Sequence, residues 1–159
     1  MLLGIVSDTH GHVEFARNAV RVLEGLDAEQ VIHCGDVGTP EIVELFNRWP
    51  AHYVLGNVDT PDVVRSAVER FGGTFHGRFG ELEIEDRKIA FLHGDDDRRL
   101  YSTIAGGDYD LVCYGHTHVP EQHLEGRTLV ANPGALYRAA RHTIAIVRFP
   151  EFELTHVPV

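Results

Sequence analysis

Three times in roughly the first seventy residues, a short apolar run gives way to a stretch with hydrophobic residues at helical spacing. That alternation constrains the fold more than any other feature of the chain. Leu2–Ser7 reads as a buried strand. Val13, Ala16, Ala19, Val20, Leu23 and Leu26 then mark one face of an amphipathic helix. A second strand, Gln30–Cys34, leads to a helix over Glu41–Arg48, with Thr39 as N-cap, Pro40 at the first helical position and Glu41 favouring the positive helix end. The third strand, His52–Leu55, is followed by the same signature at Thr60-Pro61-Asp62, which opens a helix lasting to about Phe71. Strand–helix units of this length predict a parallel α/β sheet with helical crossovers.

The second half is richer in strands. Glu81, Glu83 and Glu85 alternate with Leu82 and Ile84 as in a half-buried strand, and Asp86-Arg87 turns it into the apolar run Ile89–Leu92. A short helix is expected over Arg98–Ala105, then strands at Leu111–Tyr114, Glu121–Leu124, Thr128–Ala131, Thr143–Arg148 and Phe152–Val157. The reading is α/β: two packed, mixed sheets flanked by helices, with the parallel strands early and the antiparallel ones late. At 159 residues the chain is expected to form a single domain over 1–159.

The polar residues fall where each core strand stops. Ser7-Asp8-Thr9-His10-Gly11 follows the first, His33-Cys34-Gly35-Asp36 the second and Gly56-Asn57-Val58-Asp59 the third. His93-Gly94-Asp95 and Gly115-His116-Thr117-His118 end two later ones. In an open α/β sheet the carboxyl ends of the strands share one edge, where ligands bind. Alone, Asn57 could be a turn residue and His93 a core histidine; Asp36 could cap a helix, except that Thr39 and Pro40 already mark that start. Together, Asp8, His10, Asp36, Asn57, His93, His116 and His118 make a hard-to-borderline oxygen and nitrogen set suited to manganese, iron, zinc, cobalt or nickel. Seven ligands exceed the needs of one ion with open positions. Two ions sharing one carboxylate would use them well.

Charge and cysteine content narrow the class. A net charge of −10 argues against broad nucleic-acid or anionic-membrane binding, since phosphate backbones select for Lys and Arg. The first apolar run is too short for a signal-peptide core or a membrane span. Cys34 and Cys113 are too few for a disulfide framework and suit reduced, packed thiols, so a cytoplasmic location is expected.

The ordered set Asp-x-His, Gly-Asp, Gly-Asn-x-Asp, His-Gly and Gly-His-x-His resembles the calcineurin-like metallophosphoesterase superfamily. Ser7–Gly11, Cys34–Val37, Gly115–His118 and Asn132-Pro133-Gly134 resemble its small, mostly prokaryotic phosphodiesterase branch. The resemblance implies a four-layer α/β/β/α sandwich and an enzyme hydrolysing a small-molecule phosphate ester. It implies two divalent metal ions, manganese first, with nickel, iron, cobalt, zinc or magnesium as alternatives. Asp8, His10, Asp36 and His118 would hold one ion, and Asp36, Asn57, His93 and His116 the other. A hydroxide between the ions would attack phosphorus in line with the leaving alkoxide. Asp59, Asp95 and carbonyls near Asn132 are candidates for orienting the imidazoles, and family members often form homo-oligomers.

One position departs from the pattern. Many superfamily members carry a histidine where this chain has Val58, and that histidine is thought to assist the leaving group. Valine cannot, which points to diesters with acidic leaving groups; His12 is one possible substitute. The remaining histidines (His12, His33, His52, His76, His123, His142 and His156) read as surface or packing residues. Two other functions compete. A protein-binding scaffold of the retromer-subunit type would be expected to have lost a ligand, and here every ligand position is intact. A nucleotide phosphohydrolase stays open, without a base-recognition insertion to support it.

Overall fold

The computed structural model describes the whole chain, Met1–Val159, as two sheets face to face between helical layers. In chain order the elements are β1 (Leu2–Val6), α1 (Val13–Gly25), β2 (Gln30–His33), α2 (Pro40–Leu45), β3 (Ala51–Tyr53), α3 (Pro61–Phe71), β4 (Thr74–Phe75) and β5 (Phe79–Ile84). Then come β6 (Arg87–Leu92), α4 (Asp97–Ala105), β7 (Leu111–Cys113), β8 (Glu121–Glu125), β9 (Thr128–Asn132), β10 (Thr143–Arg148) and β11 (Glu153–Pro158). One sheet runs β11-β10-β1-β2-β3-β4 and the other β5-β6-β7-β9-β8.

The pleat of β1 shows how the layers form. Leu3 and Ile5 point between the sheets, where they meet Ile32, Ile89, Phe91, Leu111 and Val147. Leu2 and Val6 point outward beneath α1, α2 and α3, against Ala16, Leu23, Ile42 and Val68. Gly4 is required on that outer face, because a Cβ there would collide with the Leu23 side chain and hold α1 off the sheet. The far face of the second sheet carries a smaller cluster, Ala90, Leu92 and Val112, with Leu100 and Ile104 of α4 packed on it. These are the four layers α/β/β/α. No helix is long and apolar enough to cross a membrane.

The strand directions differ from expectation only in where the parallel pairs fall. β1, β2, β3 and β4 are parallel, but so are β6, β7 and β9. The antiparallel partners lie outside these runs: β10 beside β1 and β11 beyond it, with β5 and β8 closing the second sheet. Both sheets are therefore mixed, as expected, but the parallel pairs are not confined to the first half of the chain. Local boundaries shift too. α2 ends at Leu45, with Phe46–Arg48 in turns, and the two-residue β4 falls where no strand is expected. Thr39 and Thr60 sit at their N-caps without a side-chain cap bond, whereas Asp96 caps α4 through Arg99 N–H.

Candidate metal centre

The five polar segments converge, although from two sheets rather than one. The loops after β1, β2 and β3 approach across the interlayer gap those after β6 and β7. Asp36 Oδ2 lies 3.4 Å from His10 Nε2 and 3.2 Å from His93 Nε2. Asp8 Oδ1 lies 3.1 Å from His118 Nε2 and 3.7 Å from His10 Nε2. Asn57 Oδ1 is 3.0 Å from His93 Nε2 and 3.1 Å from His116 Nδ1. All seven sequence-predicted residues thus meet in one place. Two triads, Asp8–His10–His118 and Asp8–Asp36–His93, each bring their donor atoms within 4.8 Å of one another.

Hydrogen bonding leaves these atoms electron-rich. His93 Nδ1 donates to the Cys34 carbonyl at 2.8 Å and His118 Nδ1 to that of Arg138 at 3.2 Å. Each ring therefore keeps Nδ1 as its donor and aims Nε2 inward, where it presents a lone pair whenever the imidazole is neutral. The His93 lone pair then faces the oxygens of Asn57 and Asp36. Against the ionised Asp36 carboxylate, which has no hydrogen to give, that contact is relieved only by a cation, whether a proton or a metal ion. Asp8 Oδ1 and His10 Nε2 are buried and have no hydrogen-bond partner at all, which is costly unless a cation takes them up. The donor set fits a divalent ion of the kind expected from its chemistry.

The backbone is shaped to the same end. Asp8, His10, Asp36, His116 and His118 all have positive φ, between 46° and 68°, a conformation that non-glycine residues adopt at a cost and that clusters at functional sites. Asp8 is held by the Ser7 hydroxyl and the His116 N–H, and Asp36 Oδ1 accepts the Val58 N–H. A Cβ at Gly56 would overlap the Asp36 carboxylate, and one at Gly115 would overlap Ser7. Burial is graded: Asp8, Asp36 and His93 are buried, His10 and His118 half-buried, Asn57 and His116 exposed. The centre thus has a floor of carboxylates and an open side.

Burial pushes the Asp8 carboxyl up, but the nearby His10 ring, the Ser7 hydroxyl and the proximity of His93 and His118 more than offset it and leave the group below its ordinary range. Asp36 is likewise raised by burial and lowered further by His93 and the Val58 N–H. For His93, burial acts downward, and Asp36 with Asp8 outweighs it, so its pKa is raised.

The supporting residues differ in part from those expected. Asp59 orients no imidazole; its carboxylate accepts the N–H groups of Val37, Gly38 and Gly56 and so braces two loops. Asp95 pairs with Arg78 on the surface. Asn132 donates to the Gly115 carbonyl and the Thr117 hydroxyl, fixing the loop of His116 and His118. Sequence reasoning missed the Cys34 and Arg138 carbonyls, since every residue carries a carbonyl and none advertises its direction. It also passed over Ser7, whose place beside Asp8 was the available signal.

His33, buried at 1% exposure, has its pKa driven down to about 4 by burial. Unfolded, it would titrate near its ordinary 6.5. Its neutral form contributes stability above pH 6.5, which is lost as pH falls toward 4, on the order of 3 kcal/mol. Urea unfolding of the metal-free protein across that window should show the loss, and His33→Gln should remove most of it. An unchanged slope in the variant would contradict the assignment.

The sequence profile of the calcineurin-like phosphoesterase superfamily domain matches residues 1–151. Phosphodiesterase MJ0936 of Methanocaldococcus jannaschii is 32% identical over 139 residues, covering 84% of this chain and 83% of that one. The probable metallophosphoesterase YsnB of Bacillus subtilis is 29% identical over 143 residues, covering 83% and 73%. The solved structure of an archaeal phosphodiesterase superposes with a TM-score of 0.92 at 30% identity, covering 100% of both chains.

Proposed function

This chain belongs to the calcineurin-like phosphoesterase superfamily, and from that premise we propose that it is a phosphodiesterase working with two divalent cations, manganese first among them, on a small-molecule phosphate ester. One observation carries the reading: lone pairs from five loops are turned toward one another, and two of the atoms, Asp8 Oδ1 and His10 Nε2, are buried without partners. Asp8, His10, Asp36 and His118 would hold one ion and Asp36, Asn57, His93 and His116 the other. The place of Asp36 Oδ2 between His10 and His93 supports its being the shared ligand.

When bound, two such ions polarise a phosphoryl oxygen, lower the pKa of water and offset the charge that builds on phosphorus during in-line displacement. The chain's own groups do the rest. The Cys34 and Arg138 carbonyls fix which nitrogen of His93 and His118 points inward. Asp8 and Asp36 stay ionised at neutral pH. The exposed edge formed by Asn57 and His116 leaves the ester a way in. Beside it, the Val58 side chain offers no proton to a departing oxygen.

The direct test strips the purified protein of metal and titrates it with manganese, nickel, magnesium or zinc, following ion uptake and the cleavage of a bis-aryl phosphodiester together. Two equivalents per chain, with turnover that tracks occupancy, are expected. Full activity at one equivalent, or without any, would sink the two-cation reading.

A further inference from the structure

We propose that His33 is a positioning residue for this centre: it clamps the loop carrying Asp8 and His10 to the loop carrying Asp36 and supplies no ligand itself. The inference rests on the two-cation reading above and concerns a residue outside the ligand set.

His33 closes β2, and its ring lies against Tyr53, 5.8 Å between centroids and 23° between planes. Its Nδ1 accepts the Gly35 N–H at 3.2 Å. The ring proton must then sit on Nε2, which donates to the Thr9 hydroxyl at 3.0 Å. With its oxygen so engaged, Thr9 passes its own hydrogen to the Val37 carbonyl at 2.9 Å. Thr9 stands between Asp8 and His10, and Gly35 and Val37 flank Asp36. One side chain thus uses its single donor and single acceptor to join the two loops.

Backbone bonds link the same segments, from Asp8 N to Gly35 O and from His10 N to Asp36 O. They fix peptide planes, yet Asp8, His10 and Asp36 are all left-handed, and conformations of that kind persist only when their surroundings over-determine them. Burial keeps the imidazole neutral, so the donor–acceptor order does not reverse at neutral pH. A packing role alone needs only the ring's volume; the chain of three hydrogen bonds needs both nitrogens.

His33→Phe keeps the volume and removes both polar contacts, whereas His33→Gln keeps one donor and one acceptor. Calorimetric titration of the metal-free proteins with Mn²⁺ should show affinity about 10–100-fold weaker in His33→Phe, the range for lost outer-shell partners of a metal site. His33→Gln should return to within a few-fold of wild type. Nitrogen-15 NMR of the wild-type imidazole should place the proton on Nε2. Equal Mn²⁺ affinity in His33→Phe and wild type, equal losses in Phe and Gln, or a proton on Nδ1 would each overturn the proposal. If His33→Phe does not fold, Thr9→Val cuts the same chain at its next link, and unchanged Mn²⁺ binding there is equally fatal. Wild-type protein that takes up no divalent ion would overturn the two-cation reading and this inference with it. Binding of two ions that is indifferent to His33 would sink the inference alone.

Discussion

Asp36→Asn is expected to lower hydrolysis of an aryl phosphodiester by about 10³-fold or more while leaving the protein folded. Asp36 offers one oxygen to each of two tasks. Oδ1 accepts the Val58 N–H, a bond that the asparagine oxygen can keep. Oδ2, between His10 and His93, would become an amide nitrogen. Its hydrogens could satisfy the imidazole lone pairs that the wild-type centre leaves facing oxygen, and a buried negative charge would disappear. The metal-free variant should therefore stay folded and melt close to wild type, because these new donor bonds offset the lost attraction between the carboxylate and His93. The same hydrogens repel a cation, and losing an ion removes several kcal/mol of transition-state charge stabilisation. The measurement pairs thermal melting without metal against metal uptake and kcat/KM with it. A variant that keeps both ions and near-wild-type turnover would show that Asp36 is not the shared ligand.

The second large effect concerns the leaving group. Val58 is 54% exposed beside the Asn57 edge, and its N–H is committed to Asp36. A departing alkoxide there meets a methyl group instead of an acid. General acid assistance is worth about 10²–10⁴-fold, so aryl diesters should outpace alkyl monoesters by that order, and rates across a leaving-group series should rise steeply with leaving-group acidity. Val58→His should raise the alkyl-ester rate about 10-fold or more and leave the best aryl diester nearly unchanged. If the wild-type protein cleaves an alkyl phosphomonoester as efficiently as an aryl diester, another group supplies the proton and the Val58 argument fails.

Much of this architecture was legible because it is local. The helical spacing of Val13 to Leu26 and the Pro at the start of α2 and α3 mark where elements begin. The ligands were legible because they interrupt apolar strands at their ends. What stayed hidden was non-local. Nothing in Thr143–Arg148 announces that it pairs with β1 rather than with its sequence neighbours in the second sheet. β4 is two residues long between glycines and a turn, too short for any periodicity. The left-handed backbone at five ligands carries none of the usual glycine signal. The role of Asp59 depends on which loops fold back upon it, and its neighbours in sequence do not say.

The place of β10 sets a constraint on biosynthesis. β1 leaves the ribosome long before β10, the antiparallel partner that covers one of its flanks. Until that partner emerges, one flank of β1 stays unsealed, and contacts between residues as far apart as Leu2 and Arg148 must close before the interior does. Vectorial translation therefore cannot lock the first strand into its finished sheet, and a nascent chain stalled before Thr143 would offer a bare strand edge to other unfinished chains.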